Sequence, residues 1–215
     1  MEPTAIFVGH SYVKRYSTWI GSRHSMAPRH PLDICSKLRD LQFLAKSGLQ
    51  STELDDEYLF HASKYDIVLI DCSSNDLANG QSVSAVAKNL LVFARQCLEN
   101  GATIVYILSA LNRGKRIDTS TGDFAERVKA FNIYMKNLCV TDANISFHRI
   151  TGFMQQRDQH AERPLELRNW SDDLIHPSPH RRQPHLKSGM EKYHQSVKTA
   201  LYRAAQRFKT LKSAQ

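Results

Sequence analysis

The sequence predicts a three-layer α/β/α fold around a five-stranded parallel sheet. Three observations predict it. Apolar runs at 5–8, 67–70 and 102–108 lack polar alternation, as strands buried on both faces do. Stretches between them carry apolar residues at helical spacing. The two kinds of segment alternate along 215 residues, as parallel strands joined by crossover helices must. The length suits a single domain over 1–215.

Ala5-Ile6-Phe7-Val8 reads as the first buried strand, Gly9 breaks it, and Ser11 follows two residues later. Two readings of Ser11 stand at this point. Either it caps a helix over 12–20, as serine often does, or it lies on a loop at the carboxyl end of a parallel sheet, where ligand sites form. Residues 12–31 hold Lys14, Arg15, Arg23, His24, Arg29 and His30 with Pro28 and Pro31, which predicts a short helix and then an irregular loop. Residues 32–40 form a second short helix or a turn. Leu41–Ala45 is a strand, after which Gly48 plays the part of Gly9. Residues 52–63 predict a helix containing Leu54, Tyr58, Leu59 and Ala62.

Asp66–Asp71 is the clearest strand and ends in Cys72-Ser73-Ser74-Asn75-Asp76. A helix over 82–99 follows, with Val83, Val86, Leu90, Ala94 and Cys97 on one face, and Asn100-Gly101 stops it. Then come a strand over 102–108, a polar loop over 112–122, a helix over 123–139 and a shorter strand over 145–150. Residues 151–186 show little periodicity, and stretches this long in a compact domain are functional or disordered. A helix over 187–211 closes the chain on the stripe Met190, Tyr193, Val197, Leu201, Ala204, Phe208 and Leu211.

Composition narrows the function classes. No apolar run approaches the roughly 20 residues that span a bilayer. The start, Met-Glu-Pro-Thr, lacks the features of a signal peptide. Cys35, Cys72, Cys97 and Cys139 show no Cys-x-x-Cys spacing and read as free core thiols in a reducing compartment, cytoplasm or nucleus. The ten histidines, His176, His180 and His185 among them, show no zinc-ligand spacing, and no glycine-rich phosphate loop follows Gly9. The expectation is therefore no metal and no organic cofactor. The net charge of +8 is concentrated after residue 180, where nine basic residues face Glu191 alone. That basic terminal helix is either a solvated face or a surface for nucleic acid or another anionic partner.

Four polar features stand at successive element ends: Gly9-His10-Ser11, Gly48, Ser74-Asn75-Asp76 and Asp172-Asp173-Leu174-Ile175-His176-Pro177. Singly, each has a plain account. Gly48 is a turn glycine, Asn75-Asp76 an Asx turn or helix cap, and Asp-x-x-His surface polarity. Their order and spacing together resemble the SGNH, or GDSL, hydrolase superfamily, of flavodoxin-like architecture. The Leu186…Gly189…Tyr193 entry into the last helix resembles that family too. The resemblance implies a serine esterase with Ser11 as nucleophile, His176 as base and Asp173 as the group that orients it. A hydroxyl is a weak nucleophile until a base takes its proton, and a carboxylate on the other ring nitrogen holds the tautomer. The N–H groups of Ser11 and Gly48 and the Asn75 amide would form the oxyanion hole, each donor worth about 3–4 kcal/mol in the transition state.

Four further residues, His10, Ser73, Asp76 and Trp170, are expected around a substrate pocket, Trp170 as a wall or as an anchor of its loop. Arg168, Arg181 and Arg182 either favour an anionic substrate or are solvated. The implied substrate is a carboxylic ester, with acetyl among the acyl groups. Three positions depart from the pattern. His10 replaces the usual aspartate, Ser73 stands where glycine is usual, and Leu174 where glycine is common. Either Asp172 or Asp173 is close enough in sequence to orient the histidine. The Gly-His-Ser-Tyr-Val-Lys-Arg start also resembles SGNH-type domains of retroelement-encoded proteins. The rival reading is a non-catalytic module that binds nucleic acid or an acidic partner through its terminal helix.

Overall fold

Apolar runs become the strands of the sheet, and amphipathic runs become the helices that connect them. A computed structural model describes residues 1–24, 36–113, 118–119, 122–151, 169–173, 175–180 and 187–214. In chain order the elements are β1 (Thr4–Gly9), α1 (Ser11–His24), β2 (Asp40–Ala45), α2 (Asp56–Ala62), β3 (Ile67–Asp71), α3 (Ser74–Ala78) and α4 (Val83–Glu99). They continue with β4 (Ile104–Leu108), the two-residue strands β5 (Asp118–Thr119) and β6 (Gly122–Asp123), α5 (Phe124–Leu138), β7 (Ile145–His148) and α6 (Gly189–Ser213).

The sheet has five strands in the order β2-β1-β3-β4-β7, every neighbouring pair parallel. Every residue of β3 and β4 is buried, as their unbroken apolar runs require. Alternate side chains face opposite layers. Phe7, Leu69 and Tyr106 pack with Tyr12, Tyr16, Tyr193 and Leu201 of α1 and α6. Val8, Ile70 and Ile107 pack with Leu90 and Phe93 of α4 and Phe131 of α5. Each fully buried large side chain contributes about 1.5–3 kcal/mol. From β1 the chain turns first to one edge strand, β2, and then to β3 on the opposite side of β1. The loops after β1 and β3 therefore diverge and open a crevice at the carboxyl ends of the strands.

Several expectations shift. The first helix is longer and starts on Ser11 itself, so Ser11 is a helical residue and not a cap. The helix expected over 52–63 is split. Ser51–Glu53 is a 3₁₀ turn, and α2 begins only after Asp55, whose carboxylate accepts from the N–H of Glu57 and Tyr58. The short helix α3 was not expected from the sequence. The β5–β6 pair occupies the end of the polar loop, and the last strand stops at His148, two residues early. Cys72, Cys97 and Cys139 are buried free thiols, and burial raises the pKa of each. Expectations for Pro28, Arg29, His30, Pro31, Cys35, Arg168, Leu174, Arg181, Arg182, His185 and Leu186 lie outside the described residues. Among the described residues no helix is long and apolar enough to cross a membrane.

Candidate active site

Ser11 stands where β1 turns into α1, so its N–H has no intrahelical acceptor and faces outward from the positive end of a 14-residue helix. The turn is tight. A Cβ on Gly9 would lie 2.4 Å from the Asp71 carbonyl and 2.5 Å from Val13 Cγ2, so only glycine fits. His10 is 1% exposed and occupies the place of the missing aspartate. Its Nδ1 accepts from the Tyr12 N–H at 3.3 Å, which leaves the proton on Nε2, 3.4 Å from Asp71 Oδ1. The second Asp71 oxygen accepts from the Tyr193 hydroxyl. His10, Asp71 and Tyr193 thus cluster, buried, beneath the serine turn, although His10 Nε2 makes no hydrogen bond among the described residues.

The histidine arrives from the other side on a loop that closes on itself. Ser178 N–H donates to the Asn169 carbonyl and Ser171 N–H to the His176 carbonyl, both at 2.8 Å, and Trp170 bridges Pro177. Among the described residues several contacts pin this loop to the body, the Met190 N–H of α6 donating to the Ser178 carbonyl at 2.8 Å among them. The Trp170 side chain is 0% exposed in the α1/α6 core. A Cβ on Gly189, the first residue of α6, would lie 1.7 Å from the Asn169 carbonyl oxygen, so the helix start presses directly on the loop. The Tyr12 hydroxyl donates to the Ile175 carbonyl at 2.8 Å.

At the loop tip, His176 Nε2 lies 2.9 Å from Ser11 Oγ, and His176 Nδ1 lies 2.7 Å from Asp173 Oδ2. Asp173, and not Asp172, makes this contact. Asp173 Oδ1 also accepts from the N–H of Ile175 at 2.9 Å and of His176 at 3.0 Å. Partial burial opposes the charge of Asp173, but the His176 N–H, the His176 ring and the Ile175 N–H prevail and hold its carboxyl at about 2. Burial pushes His176 below its ordinary value; the bond to Asp173 pulls it up, and Arg15 pushes it down again. The ring is therefore neutral at pH 7, with an acceptor nitrogen free to take a proton from Ser11. The Arg15–Asp173 contact, 3.4 Å and half-exposed on the Arg15 side, adds little by itself.

Gly48 lies in an exposed turn after β2 with φ +81. Nothing lies within 4 Å of a Cβ built there, so the left-handed backbone, and not close approach, is what calls for glycine. Asn75 opens α3, half-buried, and its Nδ2 donates to the Leu49 carbonyl at 3.0 Å. The amide thereby binds the β2 turn to the β3 end while keeping a second N–H.

Of the residues expected around a substrate pocket, His10, Ser73 and Asp76 require correction, and Trp170 takes the second of its two readings. His10, Ser73, Asp76 and Trp170 are 1%, 1%, 0% and 0% exposed and present no surface to a substrate. Asp76 instead accepts from the Ser51 N–H at 2.9 Å and the Ser51 hydroxyl at 2.7 Å, fixing the segment after Gly48. Trp170 anchors its loop. Ser73 precedes α3 and makes no capping bond. The sequence assigns no site role to Asp71, Tyr12, Tyr193 or Arg113. A carboxylate ending an otherwise apolar buried strand was the available signal for Asp71; the others look like ordinary helix or loop residues. Among the described residues no group of three or more His, Cys, Asp or Glu could hold a metal ion.

Solved structures share this arrangement of strands and helices. A GDSL-like lipase from Bacteroides thetaiotaomicron superposes with TM-score 0.65 at 14% identity, over 94% of this chain and 88% of that one. This chain has the SGNH-hydrolase fold. Esterase EstA from Pseudoalteromonas sp., in a structure inhibited by monoethylphosphonate, gives 0.60 at 14% identity over 92% and 98%. A carbohydrate esterase family 3 protein from Talaromyces cellulolyticus gives 0.61 at 12% identity over 96% and 98%. No protein-family model and no curated protein sequence matches the chain.

Proposed function

We propose that this protein is a serine ester hydrolase of the SGNH superfamily that works through an acyl-enzyme. The observation that carries the reading is the unbroken line Ser11 Oγ–His176 Nε2 at 2.9 Å and His176 Nδ1–Asp173 Oδ2 at 2.7 Å, with a neutral histidine. The SGNH fold shared with GDSL lipases and esterases supports it. His176 takes the hydroxyl proton as Ser11 Oγ attacks the ester carbonyl. The oxyanion forms beside the Ser11 N–H, the Gly48 turn and the Asn75 amide. Collapse passes the proton to the leaving alcohol and leaves an acyl-serine. Water, deprotonated by the same histidine, then releases the acid and restores Ser11. Asp173 stays ionised and holds the imidazolium that forms in each half-reaction. The chemistry needs no metal or organic cofactor, and short acyl esters such as acetyl esters are the first substrates to test.

Hydrolysis of p-nitrophenyl acetate tests it. Ser11→Ala and His176→Ala, with unchanged melting curves, should each lower kcat by on the order of 10⁴–10⁶. Equal turnover in wild type and both variants overturns the proposal.

A second reading rests on the outer face of α6. Lys198, Tyr202, Arg203 and Lys209 are exposed there, and Lys37 Nζ lies 5.3 Å over the Tyr202 ring. A cationic face with an exposed aromatic suits nucleic acid, the partner that goes with the retroelement-type resemblance. Such binding should weaken steeply between low and moderate salt. No binding at low salt removes this reading.

A further inference from the structure

We propose that Arg113 is a positioning residue of this site, orienting the Asn75 amide so that one of its N–H groups faces the oxyanion. The inference rests on the hydrolase reading above and extends it to a residue from a fifth segment, the loop after β4. Arg113 Nη2 lies 3.1 Å from Asn75 Oδ1 and 3.4 Å from the Ser74 carbonyl. An arginine only donates and a backbone carbonyl only accepts. Asn75 must therefore turn its oxygen to Arg113 and its nitrogen to the Leu49 carbonyl, 3.0 Å away. With the oxygen and one N–H so engaged, the second N–H is the one left to present to a substrate.

The guanidinium is itself held in place. It lies 5.2 Å over the Phe124 ring, and its Nε is buried without an acceptor among the described residues. Among those residues no carboxylate pairs with it. The Tyr12 hydroxyl donates to the Ile175 carbonyl next to His176 at 2.8 Å. Burial raises the pKa of this phenol, and the Arg113 charge opposes that rise.

Labelling of Ser11 by a fluorophosphonate tests this without knowledge of the natural ester, because the reagent places an anionic oxygen where the substrate would. The full chain is compared as wild type, Arg113→Ala, Arg113→Lys, Asn75→Ala and the Arg113→Ala/Asn75→Ala double variant, with Tm measured for each. Asn75→Ala should slow labelling about 100-fold, as loss of one oxyanion donor does. Arg113→Ala should slow it about tenfold, Arg113→Lys less, and the double variant no more than Asn75→Ala alone. A double variant slowed by the product of the two single effects overturns the proposal, since Arg113 would then act independently of Asn75. If Arg113→Ala fails to fold, Arg113→Lys in the two Asn75 backgrounds gives the same comparison. A wild type unlabelled at Ser11 is failure of the hydrolase reading itself. The hold on Asn75 is then read from its side-chain amide ¹H–¹⁵N signals, which Arg113→Lys must shift; unchanged signals overturn it.

Discussion

The two halves of the candidate site are held in different ways. Ser11, Gly48 and Asn75 follow three adjacent parallel strands, and ladder register sets their spacing: Gly9 pairs with Ala45 on one side and Asp71 on the other. Asp173 and His176 lie outside the sheet. Their loop is placed by one buried indole, one helix start and one phenol. A sheet distributes its positional information over many ladder bonds, and a pinned loop concentrates it in a few contacts. Single substitutions should therefore damage the histidine half far more than the strand-end half.

The largest expected effect is at the loop tip. Asp173→Asn should cut p-nitrophenyl ester turnover by about 10⁴ while leaving stability nearly unchanged, because the group is partly exposed and its loss acts on the histidine tautomer. An effect below tenfold would mean that the loop backbone alone orients His176. Trp170→Ala empties a fully buried site and should lower the denaturant-measured stability by about 3–5 kcal/mol. Gly189→Ala should cost about 3 kcal/mol, since its Cβ meets backbone that cannot move aside. Gly48→Ala in the strand-end half should cost only about 1–2 kcal/mol, the penalty for a left-handed backbone with open space around it. A Gly48 variant less stable than the Gly189 variant would reverse the comparison.

The pH profile gives the mildest perturbation. His176 must be neutral to act, and its pKa lies below the ordinary value of about 6.5. Turnover should be level around neutrality and fall about tenfold per unit once pH drops through that pKa. Stability moves in the same direction. The unfolded histidine takes up its proton at a higher pH than the folded one, so stability is lost as pH falls from about 6.5 towards the folded pKa. Asp173, held at about 2, stays ionised throughout this range. A lower limb centred above pH 6.5 would mean that the bond to Asp173 outweighs burial at His176.

The same contrast governs what could be read from the sequence. Strands β3 and β4 were legible because unbroken β-branched runs admit one reading, and the positions of Ser11, Gly48 and Asn75 followed from the strand ends. The helix over 52–63 was misjudged because Asp55 caps a new helix inside an apolar pattern. The histidine loop has no periodicity, so its approach to Ser11 could not be derived from spacing, and Trp170 gives no local sign of being an anchor. Ser73, singled out because it stands where glycine is usual, and Asp76 are both buried beside Asn75. Asp76 is buried because Ser51 satisfies its carboxylate internally.

The pressing of Gly189 on Asn169 has a consequence in time. The nucleophile and its base are 165 residues apart, and synthesis makes the serine first. At about 5–20 residues per second, some ten to thirty seconds separate Ser11 from His176. The histidine then gains its position only when the start of α6 closes over the base of its loop. A nascent chain therefore carries Ser11 before its proposed partner is in place, and α6, made after both, completes the arrangement.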